Sequence, residues 1–105
     1  MIFTTTSNIE GKTVSKYLGI VSSTTYTVNY STKGMSFKDM FKQQKYSEAY
    51  EKGLEEAKET AFQKLKTNAE NLKANAVMGI SIDIEHMANT TYWMVSVAGT
   101  AVVVV

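Results

Sequence analysis

Residues 80–105 read ISIDIEHMANTTYWMVSVAGTAVVVV, and their patterning decides the architecture. Ile80-Ser81-Ile82-Asp83-Ile84-Glu85 alternates apolar and polar side chains without a break, so one row belongs on a buried face and the other on a wet one. Ala88-Asn89-Thr90 suits a tight connection, because asparagine tolerates the backbone that such turns require. The returning strand, Tyr92 to Val105, ends in Ala101 and four valines and is apolar on both faces. The two segments predict a hairpin.

Upstream, Tyr50, Leu54, Ala57, Ala61, Leu65, Ala69 and Leu72 recur at spacings of three and four, which predicts a helix over residues 47–72 with one apolar stripe. Glu55, Glu59, Lys66 and Lys73 lie off that stripe. Three alanines within it let the helix lie close on a sheet. Before the helix, residues 12–30 are rich in Thr, Val, Tyr and Ile and read as one long strand. Strict alternation there puts Val14, Lys16, Leu18 and Ile20 on one face and Thr13, Ser15, Tyr17, Gly19 and Val21 on the other. A loop at 31–34, a helical turn at 35–41, a short strand at 2–6 and a turn at Glu10-Gly11 complete the reading. The expectation is a single α+β domain over residues 1–105.

Composition narrows the chemistry. The chain carries 11 Lys+Arg against 10 Asp+Glu, a net charge of +1, which lacks the basic excess of a nucleic-acid binder. It has no cysteine, so thiolate catalysis, disulfides and thiolate metal sites are excluded. The first residues lack the basic and apolar regions of a signal peptide, and no stretch approaches the ~18 apolar residues that span a membrane. A cytoplasmic, bacterial-type address is the expectation, with neither nucleic acid nor membrane as partner.

The valine end raises a packing problem. One helix covers one face of a small sheet, and leaving two of the last valines wet would forgo roughly 1.5–3 kcal/mol each. An exposed valine run would also invite aggregation. A neighbouring subunit is the simplest cover, so the sequence predicts a homo-oligomer; a frayed tail is the alternative.

Thr4-Thr5, Ile9-Glu10-Gly11, Tyr17 with Gly19, Asn29, Tyr50, Ala57, Ala61 and Ala69 form an ordered set. Leu72-Lys73-Ala74-Asn75-Ala76-Val77, Gly79-Ile80 with Asp83, Met94-Val95 and Gly99-Thr100-Ala101-Val102 extend it. Through these residues the whole chain resembles the YbjQ-like family, small bacterial proteins of unknown function often labelled heavy-metal-binding. The resemblance implies a β-α-β-β subunit of dodecin-like kind, one long helix on an antiparallel sheet. It also implies a homopentamer with short strands joining subunits. Lys73 stands where the family usually has glycine; it either adopts a left-handed cap at about 1 kcal/mol or shifts the cap to Asn75. Residues 42–46 replace the family's glycine-rich segment before the helix.

Four residues are candidates for metal: Glu10, Asp83, Glu85 and His86. Asp83 and Glu85 are two apart on a strand and share a face, whereas His86 points to the opposite one. Two carboxylates suit a hard divalent cation, and a ring would repeat them; a soft heavy metal prefers thiolates. Read structurally, Glu10 serves a turn and His86 is a solvated spacer. Tyr92, Trp93, Met94, Tyr26 and Tyr30 are candidates for a pocket taking a flat apolar ligand, or else are core and interface. No nucleophile–base set is legible and no cofactor is assigned. The leading expectation is a non-enzymatic oligomeric module holding a metal ion or small ligand between subunits. The alternatives are a protein-interaction scaffold, and an enzyme using Glu10 or Asp83 with His86.

Overall fold

The computed structural model describes residues 1–28, 43–89 and 92–105. Strands β1 (Ile2–Phe3) and β2 (Val14–Val28) precede helix α1 (Gln43–Asn71), and strands β3 (Ala76–His86) and β4 (Tyr92–Val104) follow it. The strands form one sheet in the order β1-β3-β4-β2. β4 runs antiparallel to both neighbours, and β1 runs parallel to β3. The sheet is therefore mixed, because the N-terminal strand enters alongside the start of β3 in its own direction. The expected loop at 31–34, the helical turn at 35–41 and Tyr30 lie outside the described residues.

The helix starts earlier than its apolar stripe suggests, since nothing in Gln43-Gln44-Lys45-Tyr46 breaks a helix. Its alanine stripe packs as expected: Ala57, Ala61, Leu65 and Ala69 are buried against Val21, Val77, Ile80, Val95, Val97 and Ala101. Leu72, the last member, is exposed, because the helix has ended and the chain is already turning away. The close approach has polar stitches that the periodicity does not reveal. The Ser23 hydroxyl donates to the Ala61 carbonyl at 2.5 Å, Thr25 donates to the Ala57 carbonyl at 2.8 Å, and the Asn68 amide donates to the Ser22 carbonyl at 3.0 Å. A side chain larger than alanine at 57 or 61 would hold the two backbones apart and break them.

The helix ends in a Schellman motif. Ala74 N–H donates to the Ala69 carbonyl and Lys73 N–H to the Glu70 carbonyl, with Lys73 at φ 64°. Lysine thus occupies the left-handed cap itself. Asn75 continues the ladder with its side chain: Nδ2 donates to the Val104 carbonyl and Oδ1 accepts from the Val104 N–H, both at 2.8 Å. An amide side chain stands in for the strand residue that would otherwise pair with the end of β4.

Three register shifts reset the faces, the first of them in β2 between Val14 and Lys16. In β2 an extra residue between Tyr17 and Gly19 shifts the register against β4, so Leu18 turns under the helix while Ile20, 82% exposed, stays on the open face. The expected sharing of one face by Leu18 and Ile20 fails for that reason. In β3, Gly79 at φ 61° allows a third, between Met78 and Ser81. Opposite it, a Cβ on Gly99 would lie 2.6 Å from Val77 Cγ1 and 3.0 Å from Ile80 Cγ1, so only glycine fits there.

The valine end finds cover within its own chain. Thr4 N–H donates to the Val77 carbonyl, Ile80 N–H to the Thr4 carbonyl and Gly79 N–H to the Thr6 carbonyl; the chain then passes onto the open face. Ile9 and Val14 pack there against Ala76, Met78, Val102 and Val104. Val102 and Val104 are buried in a single copy, and only Val105, 70% exposed, is wet. The inference that these valines need a second subunit is corrected: the N-terminal arm supplies the second cover that the helix cannot.

Replacing Lys73 with glycine relieves the left-handed lysine, and urea unfolding should show a gain of about 0.5–1 kcal/mol. Asn75→Leu leaves the Val104 backbone groups unpaired, with an expected loss of roughly 1–3 kcal/mol in the same assay. Ala61→Leu overpacks the helix–sheet seam and should lower stability by about 1–3 kcal/mol; an unchanged midpoint would show that the close approach is not enforced.

Candidate functional site

The sheet has an open face that the helix does not cover. Register places Ile20, Ser22, Thr24 and Tyr26 of β2 beside Thr100, Ala98, Ser96 and Met94 of β4. Ser81, Asp83 and Glu85 of β3 lie beyond, opposite Ala98, Ser96 and Met94. Tyr17, Ile20, Tyr26 and Tyr92 are exposed. On the other face His86 stands opposite Trp93, their ring centroids 5.3 Å apart and tilted by 50°.

Asp83 and Glu85 therefore share the open face, and His86 lies on the helix side, as the period of two requires. Glu10 is exposed in a turn closed by the Lys12 N–H on the Ile9 carbonyl, with Gly11 at φ 76°. It is remote in chain and sheet from the Asp83–Glu85 row, and the turn it helps form seats Ile9 on the valine cluster. The proposed aromatic lining is divided in the same way. Tyr92, Met94 and Tyr26 are on the open face, and Trp93 faces the helix side.

Among the described residues, a cleft lies on each side of the helix. Along β2, a cleft of about 420 Å³ is lined by Thr25, Thr27, Gly53, Glu56, Ala57 and Thr60. It exists because the helix presents glycine and alanine there; a Cβ on Gly53 would meet Thr27 Oγ1 at 3.0 Å. Along β3, a cleft of about 390 Å³ is lined by Phe3, Thr4, Thr5, Phe62, Ile80 and Ile82. The Phe3 and Phe62 rings lie 6.1 Å apart. Its apolar walls come from β1, the helix and the part of β3 that β1 does not reach. Sequence reasoning missed this cleft, although Phe62 carried a signal: an aromatic beside the alanine stripe, not on it.

The backbone resembles a crystal structure of a protein of unknown function from Pediococcus pentosaceus, placed in the DUF74 family. The TM-score is 0.59 at 21% identity, and the match covers 100% of this chain and 98% of the other. That likeness establishes the small α+β fold with one helix on the sheet. Residues 1–105 match the YbjQ family, described as "Putative heavy-metal-binding", and the chain belongs to that family.

The donor set can be tested against that description. The chain offers no thiolate. Among the described residues no three His, Cys, Asp or Glu side chains of one copy converge on a point. A soft heavy-metal ion does not fit the donors of a single copy; the Asp83–Glu85 row suits only a hard cation, with further ligands from elsewhere. Because both carboxylates are exposed, the double change Asp83→Asn, Glu85→Gln should alter unfolding free energy by less than about 0.5 kcal/mol. A larger loss in thermal unfolding would assign these residues to the fold instead of to a ligand.

Proposed function

We propose that this chain is the subunit of a closed homo-oligomer, a pentamer as the family resemblance implies, which binds a small ligand at subunit boundaries and catalyses no reaction. The observation that carries this reading is the cleft of Phe3, Phe62, Ile80 and Ile82, an apolar surface at the flank of the domain that the described residues leave open. A concave apolar wall with a few hydroxyls is how small-ligand sites are commonly built. Thr4 and Thr5 supply the hydroxyls, and the ligand class this suits is flat and mostly apolar. Association would bury Ile82 and Ile84, which are wet in one copy.

A hard divalent cation is the second ligand class. Asp83 and Glu85 support it, since a ring repeats each carboxylate once per subunit; Glu10 and His86 join them only from a neighbouring copy. The exposed row of Tyr17, Ile20 and Tyr26 favours a different reading, a protein-interaction scaffold without any small ligand.

Light scattering should give a mass five times that of one 11.6 kDa chain. Calorimetric titration of that species with flat cofactors and with divalent ions should show saturable binding by one class. Phe62→Ala should weaken an apolar ligand about tenfold or more while leaving cation binding unchanged. An oligomer that binds neither class leaves the scaffold reading standing.

A further inference from the structure

The hydroxyl stitches between the helix and β2 form a ladder that stops one rung early. Ser23 donates to the Ala61 carbonyl and Thr25 to the Ala57 carbonyl, a step of two along the strand for a step of four along the helix. The next rung would join Thr27 to Gly53. Among the described residues that bond is not made, and the cleft of about 420 Å³ opens there instead. Gly53, Glu56, Ala57 and Thr60 recur at spacings of three and four, so a single helix face forms one wall. Thr25 and Thr27 form the facing wall, and Tyr26, more than half exposed, borders the rim.

Most of the polar side chains in this cleft can only accept. A hydroxyl has one proton to give. Thr25, 6% exposed, gives its proton to the Ala57 carbonyl at 2.8 Å, and Thr60 gives its own to the Glu56 carbonyl at 2.9 Å. What either can still offer a ligand is oxygen lone pairs. Glu56 adds a carboxylate, which accepts and carries negative charge. Among the described residues the ion pairs are Lys58–Glu55 and Lys66–Glu70, so Glu56 is left without a cation although Lys52 stands one turn before it.

That lining selects a ligand class. An anion is repelled, and a neutral alcohol brings a single donor to several acceptors. A bare metal ion would find one carboxylate and leave most of the volume unfilled. A primary ammonium brings three donors and a positive charge, while Gly53, Ala57 and the threonine methyls give its carbon chain an apolar bed. We infer that the cleft beside Gly53 binds a small alkylammonium ion, with Glu56 as its counter-ion and the Thr25 and Thr60 oxygens as acceptors. The site is separate from the one proposed above: it lies on the other side of the helix from Phe3 and Phe62 and takes a charged ligand instead of a flat apolar one.

Butylammonium chloride titrated into the wild-type protein, followed by the NMR shifts of the backbone amides, tests the assignment. Saturable shifts at residues 25–27 and 53–60, with dissociation in the millimolar range, are expected. Butanol keeps the carbon chain without the charge, and tetramethylammonium keeps the charge without the N–H donors; each should bind about tenfold or more weakly. Glu56→Gln should weaken butylammonium about tenfold or more, whereas Glu59→Gln, an equal loss of charge outside the lining, should change it less than about twofold. Gly53→Ala should also weaken it, since the added Cβ would meet Thr27 Oγ1 at 3.0 Å, and because alanine favours the helix the loss would not reflect unfolding. Phe62→Ala should leave butylammonium binding as it is. Absence of saturation, shifts centred elsewhere, butanol bound as tightly as butylammonium, or an affinity that falls with Phe62→Ala but not with Glu56→Gln overturns the site. Each of those results would do so whether or not the Phe3–Phe62 cleft holds a ligand of its own.

Discussion

The distance between the helix and β2 governs the rest of the molecule. Gly53, Ala57, Ala61 and Ala69 bring the helix backbone close enough for strand hydroxyls to reach helix carbonyls, which hydrophobic contact alone would not require. Ser23 and Thr25 are buried polar groups, and they are tolerated because the helix supplies them with acceptors at 2.5 and 2.8 Å. Closeness at β2 has a geometric cost elsewhere. A helix held over β2 and β4 reaches Val77 and Ile80 of β3 but not its distal half, and Ile82 and Ile84 stay wet as a result. The cleft beside β3 and the recess beside Gly53 are two products of one constraint.

The opposite face is organised by a different segment. The N-terminal arm passes the bulge at Gly79, turns at Glu10-Gly11 and lays Ile9 on Val102 and Val104. The polypeptide thereby closes the valine end with its own first residues, and the open face that remains is polar at its centre, with Ser22, Thr24, Ser96 and Asp83 aligned across three strands. That division separates two roles. The valine end is a second small core, and the large apolar side chains of β3 that stay exposed, Ile82 and Ile84, lie in its distal half.

Much of this was legible in the sequence. The helix stripe, the hairpin and the opposed directions of Asp83 and His86 follow from periods of 3.6 and 2, and these are the signals that local geometry writes most clearly. What was hidden depended on register and long-range contact. The bulge at Tyr17–Gly19 inverts the faces of β2 by one inserted residue, and nothing local distinguishes Leu18 from Ile20 beforehand. The cover of the valine end is not legible because residues 4–13 are mostly polar and carry a single large apolar side chain, Ile9. The roles of Ser23 and Thr25 were masked by the strand propensity they share with every other Ser and Thr in β2. The candidate ligand residues were less legible still, since Phe3 and Phe62 meet only through the tertiary fold.

The pairing of the two chain ends has a temporal consequence. Val14 is matched with Val104, and Thr13 exchanges backbone hydrogen bonds with Val105, so the start of β2 waits for β4 to be made. During synthesis β2 and the helix can meet early, but the central strand β4, which joins every other long strand, arrives last. Contacts spanning nearly the entire polypeptide are slow to form, because loop closure precedes any reward. Until β4 is made, the nascent chain must therefore display Ile9 and Val14, and the time taken to complete that strand, no less than the stability of the finished fold, sets how long it is vulnerable.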